Sequence, residues 1–138
     1  MNVARRVPWS PLLALALLAP ATQADSQTIP TGTYLGGGRA CFGKLSISAR
    51  SLTWRTPFSH CSGVPYRFSN LGAKNGATAY LFRLQLNQRE CRYTSVVLLQ
   101  KAAVAGEATW EALGYRSVAD QQAGRLDHAL ACPMVRSD

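Results

Sequence analysis

The chain has 138 residues, with 15 Lys and Arg against 7 Asp and Glu, and a formal net charge of +8. After residue 24 there is no internal repeat, heptad pattern or low-complexity tract, which excludes a coiled coil or a repeat array. No apolar run there approaches the ~18 residues of a membrane-spanning helix.

Arg5 and Arg6 precede the apolar stretch Leu12 to Ala19, which Pro20 breaks before the small-residue run ending at Ala24. This order of charged, apolar and small segments predicts a signal peptide over residues 1–24. As a helix the apolar stretch rises only about 12 Å, at ~1.5 Å per residue, too short for a membrane anchor. Cleavage after Ala24 is expected, with Ala21 as the second choice. Residues 25–138 are then expected to form one domain, periplasmic or extracellular, without a transmembrane segment. No cysteine follows the apolar stretch to accept a lipid.

Cys41, Cys61, Cys91 and Cys132 all fall after the leader. An even number in an exported chain of this size predicts two disulfides. None of the four makes a C-x-x-C pair, so no metal site is expected. Sequence alone permits three connectivities.

From Tyr34 onward the apolar residues alternate, the period of a strand with one buried face. Tyr34 and Leu35 follow the start signal Pro30-Thr-Gly32. Leu45, Ile47 and Ala49 alternate with polar residues, as do Leu52 and Trp54 after a turn near Arg50-Ser51. The register expected for this hairpin pairs Ala49 with Leu52, Ile47 with Trp54 and Cys41 with His60. It sets Cys61 beside Cys41, so a Cys41–Cys61 bridge is expected, leaving Cys91–Cys132.

Val64, Tyr66 and Phe68 form a fourth alternating segment, and Tyr80, Phe82, Leu84 and Leu86 a fifth. Asn75-Gly76 between them is the strongest hairpin signal in the chain, because both turn residues accept positive φ. Residue 74 is expected opposite 77, with a bulge between Ser69 and Gly72 restoring a common apolar face. Arg92 to Leu99 contains Val96-Val-Leu-Leu99, apolar on both sides and therefore central or covered. Lys101 to Ala108 reads as a loop and Thr109 to Tyr115 as a strand. Ser117-Val-Ala-Asp120 resembles a capping box with Asp in the last place, predicting a short helix over 118–123 that ends near Gly124. Leu126 to Ala131 is expected to be a short final strand.

Seven or eight short strands with tight turns and one small helix predict an all-β antiparallel meander. A partly or fully closed barrel is the first choice, since closure removes exposed edges, and a two-sheet sandwich the second.

The charge is unevenly placed. Between Ser26 and Arg89 there is no acidic residue, while Arg39, Lys44, Arg50, Arg55, Arg67, Lys74, Arg83 and Arg89 are basic. The alternation places Lys44, Arg55, Arg67 and Arg83 on the outward face, where their uncompensated potential attracts anions. The expected partner is an anionic envelope component, a polyanion or an acidic protein, and no cofactor is expected. Ten of the thirteen cations after the leader are Arg, whose fork matches phosphate and carboxylate.

No constellation supports an enzyme. His60-Cys61 invites a nucleophile, but an exported cysteine is more often bridged. Asp127 and His128 as strand neighbours would face opposite ways, and Glu107 and Glu111 on a strand would stand about 13 Å apart. Gly36-Gly-Gly38-Arg39 lacks the Gly-Lys-Ser/Thr ending of a phosphate loop. Trp54 reads as core, whereas Tyr93 and Tyr115 are the candidates for an exposed aromatic contact. A non-enzymatic binding module is the first expectation, and a carrier holding a small apolar ligand inside a barrel is the alternative.

Overall fold

The computed structural model describes residues 28–85 and 88–138. The signal peptide expected over 1–24, and Leu86 of the fifth segment, lie outside the described residues. Eight strands form: β1 Gly32–Gly36, β2 Gly43–Ile47, β3 Ser51–Thr56, β4 Ser59–Lys74, β5 Ala77–Leu84, β6 Ser95–Val104, β7 Glu107–Tyr115 and β8 Ala129–Arg136. Each pairs antiparallel with its neighbours in chain order, and β1 also pairs with β8, so the sheet closes into a barrel. The all-β barrel anticipated from the alternation is therefore the fold, and the sandwich is excluded.

The alternation works because each strand buries one row of side chains inside. Tyr34, Leu45, Leu52, Trp54, Val64, Phe82, Val96 and Leu98 are fully buried there. Their aromatic rings meet edge-on or stacked: Tyr34 against Trp110 at 5.1 Å, Trp54 against Tyr93 at 5.1 Å and Tyr66 against Phe82 at 4.9 Å. Gly114 leaves room for one of these stacks. A Cβ there would lie 2.8 Å from the Tyr93 ring and 2.9 Å from Trp54. Tyr93 is thus an interior residue and not the exposed contact expected of it.

A second apolar cluster lies on the outer face of β5–β7, where Leu81, Val97, Leu113 and Tyr115 are buried together with Ala129 packed against them. It explains why Val96 to Leu99 is apolar on both sides. It also removes Tyr115 from the exposed aromatics.

Two local expectations hold in detail. Asn75 and Gly76 both have positive φ, Lys74 pairs with Ala77, and the register shifts between Asn70 and Gly72, leaving Leu71 as the extra residue. The short helix α1, Val118–Gln122, is capped by Ser117, whose Oγ accepts from the Asp120 N–H.

Other expectations are corrected. The β2–β3 register pairs Leu45 with Trp54 and Ile47 with Leu52, two residues from the expected pairing. Ser48 N–H donates to Ser51 O at 3.0 Å, so Ala49 and Arg50 form the turn. A slip of two keeps every side chain on its face, which is why the inside–outside reading survived it. The stretch 101–108 is a ribbon turning at Ala105-Gly106, both at positive φ, rather than a loop. Leu126–His128 is a 3-10 turn and the last strand begins at Ala129, running past Pro133 to Arg136. β1 pairs with β8 only from Met134 onward, so Pro133 has a strand neighbour on one side only, where a missing N–H is tolerated.

The disulfides are Cys41–Cys132 and Cys61–Cys91, not the expected pairs. Cys61 lies opposite Trp54 rather than Cys41, and closure carries β8 up to the chain that leaves β1. The Cys41–Cys132 bridge spans 91 residues with its Cα atoms 5.4 Å apart, so it ties the last strand to the first. Replacing both cysteines by Ser is expected to lower stability by roughly 4 kcal/mol, through loop entropy returned to the unfolded chain. Urea unfolding of the double variant beside the oxidised parent measures this.

Candidate anion-binding site

The meander sets side chains from successive strands side by side around the outer wall. One such row is fixed by the register: Val135 on β8 faces Leu35 on β1, Leu35 faces Lys44 on β2, Lys44 faces Arg55 on β3, and Arg55 faces His60 on β4. The row passes from apolar to cationic within adjacent strands. Leu35 is 45% exposed, and Lys44 and Arg55 are both exposed.

Leu35, Phe42, Lys44, Thr53 and Arg55 line a groove of about 660 Å³ on this wall. Gly36 and Gly43 form part of its lining, and neither position admits a side chain. A Cβ on Gly43 would lie 1.9 Å from the Arg55 carbonyl oxygen, and one on Gly36 would lie 2.2 Å from that of Cys41. The Gly-rich segment therefore serves close backbone approach, with Phe42 N–H donating to Gly38 O at 2.9 Å.

Lys44 and Arg55 stand directly opposite each other, a like-charge pair that is unfavourable without a counter-ion. Among the described residues no carboxylate lies within ion-pair distance of either. The nearest polar partner of Arg55 is His60, with Nη2 3.5 Å from Nε2, and His60 Nδ1 lies 3.9 Å from the Glu90 carboxylate.

Arg67 and Arg83 form a second outward pair, opposite each other on β4 and β5. They do not join the first. Arg67 lies seven residues along β4 from His60, roughly 20 Å at ~3.3 Å per residue. That exceeds the ~8 Å screening length at physiological salt, so the pairs act as separate sites. The single face read from the alternation is two pairs, and only the Lys44–Arg55 pair borders an apolar groove. Alternation marks Leu35 as part of a strand and gives neither Leu35 nor Phe42 a place in a site. Phe42 placed between Cys41 and Gly43 was the available signal, a large apolar residue in a turn where polar ones are usual.

Asp127 and His128 occupy the 3-10 turn and not a strand, so their side chains do meet, contrary to expectation. His128 Nδ1 lies 3.1 Å from Asp120, and Nε2 lies 3.5 Å from Asp127, which Arg125 also contacts at 3.0 Å. With a carboxylate near each ring nitrogen, the imidazole bridges the turn and α1. Ser117 Oγ is occupied as a helix cap. Cys61 beside His60 is in a disulfide and has no thiol. Glu111 is paired with Lys101 at 2.7 Å.

Comparison with protein-family models, with curated proteins and with solved structures returns no match to this chain.

Hydrogen bonding to Ser117, then to His128, holds the Asp120 carboxyl below its ordinary range. A carboxyl lowered on folding stabilises above its unfolded pKa, and that contribution is lost as pH falls through the lowered value. The contact between α1 and the 3-10 turn is therefore expected to be intact at neutral pH and to loosen in acid. Amide exchange across 118–128 followed from pH 7 downward, beside Asp120→Asn, measures it. Exchange in the variant should be raised already at neutral pH and depend less on acid. In the cationic row, Lys44→Glu replaces a like-charge pair with an opposite one. It is expected to stabilise the fold by roughly 0.5 kcal/mol, read as a small rise in Tm.

Proposed function

We propose that this chain is an exported, non-enzymatic binding module of the cell envelope that takes an anionic component on its β1–β3 wall. The observation that carries this reading is the Lys44–Arg55 pair, two exposed cations in direct opposition at the edge of an apolar groove, with no carboxylate partner among the described residues. A bound anion relieves that repulsion and engages the guanidinium fork of Arg55. Two disulfides fit an oxidising compartment, in keeping with the leader read over residues 1–24. No helix among the described residues is long and apolar enough to cross a membrane.

The non-enzymatic part rests on the side chains with catalytic potential being committed elsewhere, His128 between two carboxylates and Cys61 in a disulfide. A carrier would need interior room for its ligand. The full burial of Tyr34, Trp54 and Phe82 inside the barrel favours binding on the outer surface.

Heparin serves as a general polyanion for the test. Retention should fall as salt rises, because binding releases counter-ions. Lys44→Glu and Arg55→Glu together should weaken binding by roughly tenfold or more, and Arg67→Glu with Arg83→Glu by much less. Binding that ignores salt, or that survives reversal of Lys44 and Arg55, contradicts the reading.

A further inference from the structure

We propose that the anionic component is a lipid surface, and that the barrel docks on it end-on through Phe42 and Phe58. This rests on the anion-binding reading and names its ligand. In an eight-stranded meander the β1–β2, β3–β4, β5–β6 and β7–β8 connections all emerge at one end. Phe42 ends the first of these and is 73% exposed. Phe58 lies in the second, between Thr56 and Ser59, and is 62% exposed. The two tips are neighbours, because the chain entering β2 at Gly43 packs directly on the Arg55–Thr56 backbone that leads into Pro57-Phe58.

Exposed rings at turn tips contribute nothing to the core, and turns are ordinarily polar. The same end carries exposed Val118 and Leu126 in the β7–β8 connection. At the opposite end the turns are Ala49-Arg50, Asn75-Gly76 and Ala105-Gly106, with no aromatic residue in any of them.

The cations stand at the matching depth. Lys44 is two residues behind Phe42, and Arg55 is level with His60, two residues from Phe58, so each cation stands at most about 7 Å behind its ring. Apolar groups of peripheral proteins enter about 5–10 Å past the headgroup boundary. Rings inserted that far leave Lys44 and Arg55 level with the phosphates, where each cation is attracted to an anionic leaflet. Arg39, Arg89 and Arg92 lie in connections at this end and add to the positive field. The acidic residues there are Glu90, near His60, and Asp120 and Asp127, both turned to His128. The two rings share this end with the exposed aliphatic side chains Val118 and Leu126, which offer a base or a sugar no stacking face, and this apolar end is what favours a lipid surface over a glycan or nucleic acid.

The test is co-sedimentation of the mature protein with vesicles of equal parts phosphatidylglycerol and phosphatidylcholine, beside vesicles of phosphatidylcholine alone. Binding to the mixed vesicles only, weakened by salt, is expected. Phe42→Ser and Phe58→Ser should each weaken it roughly tenfold, and Phe58→Ser, which lies outside the groove, should leave heparin retention unchanged. Both rings are exposed, so an unchanged Tm shows that the fold is intact. Phe42→Trp should be quenched by brominated acyl chains on binding, which a headgroup-only contact or free inorganic phosphate would not produce. Wild-type protein that binds heparin but not the mixed vesicles overturns the lipid surface and leaves the anion site standing. Vesicle binding indifferent to both Phe substitutions overturns the end-on dock. Failure to bind either probe overturns the anion site itself.

Discussion

Closure of β1 onto β8 is the contact on which the rest of the molecule depends. Three register pairs, Tyr34 with Arg136, Leu35 with Val135 and Gly36 with Met134, join the ends of the sheet. Without them the barrel is an open meander with two exposed edges, and the inner row around Tyr34, Trp110 and Met134 meets water. Few ladder pairs make this seam, and the Cys41–Cys132 bridge lies just beyond it, holding the partners together across 91 residues of chain. Arg136, on the inward row at the barrel rim, adds a cation–π contact, 5.7 Å from the Tyr34 ring and 5.8 Å from Trp110.

The candidate groove is more local: Leu35, Phe42, Lys44 and Arg55 belong to β1–β3 and the connection between the first two, and closure adds only Val135 beside Leu35. The cationic half belongs to the β2–β3 hairpin and is local. Glycine at 36 and 43 lets the backbone of this wall pack closely, which brings the connection carrying Phe42 next to the strand that leads to Phe58. Groove and projecting rings are thus consequences of one local arrangement, while the disulfide fastens the longest-range part of the fold.

What could be read from the residues follows from which contacts are local. Alternation in Leu45, Ile47, Leu52 and Trp54 assigned inside and outside correctly, and the parity survived a register wrong by two because a strand repeats every second residue. Asn75-Gly76 set its own turn chemistry, and a bulge between Ser69 and Gly72 followed from the mismatch of apolar rows. The disulfide partners did not follow. They depend on closure between the two ends of the sheet and on the position of the 85–94 connection, and no local spacing encodes either. A 3-10 turn and a strand end look alike over three residues, so alternation gives the wrong faces to Asp127 and His128. Nor does it place Tyr93, which stacks on Trp54 above Gly114, or Tyr115, which belongs to a cluster outside the barrel. Of the site, the charges were legible and their division into two pairs was not. That division comes from the length of β4, which pairs first with β3 and then with β5.

The placement of the site on the β1–β3 wall is tested most directly by mapping backbone amide shifts while a heparin oligosaccharide is titrated into the isotope-labelled mature protein. The structure predicts changes concentrated at Leu35, Phe42, Lys44, Thr53 and Arg55, saturating together and reversed by salt. Changes centred on Arg67 and Arg83, or spread evenly over the basic residues, would contradict it.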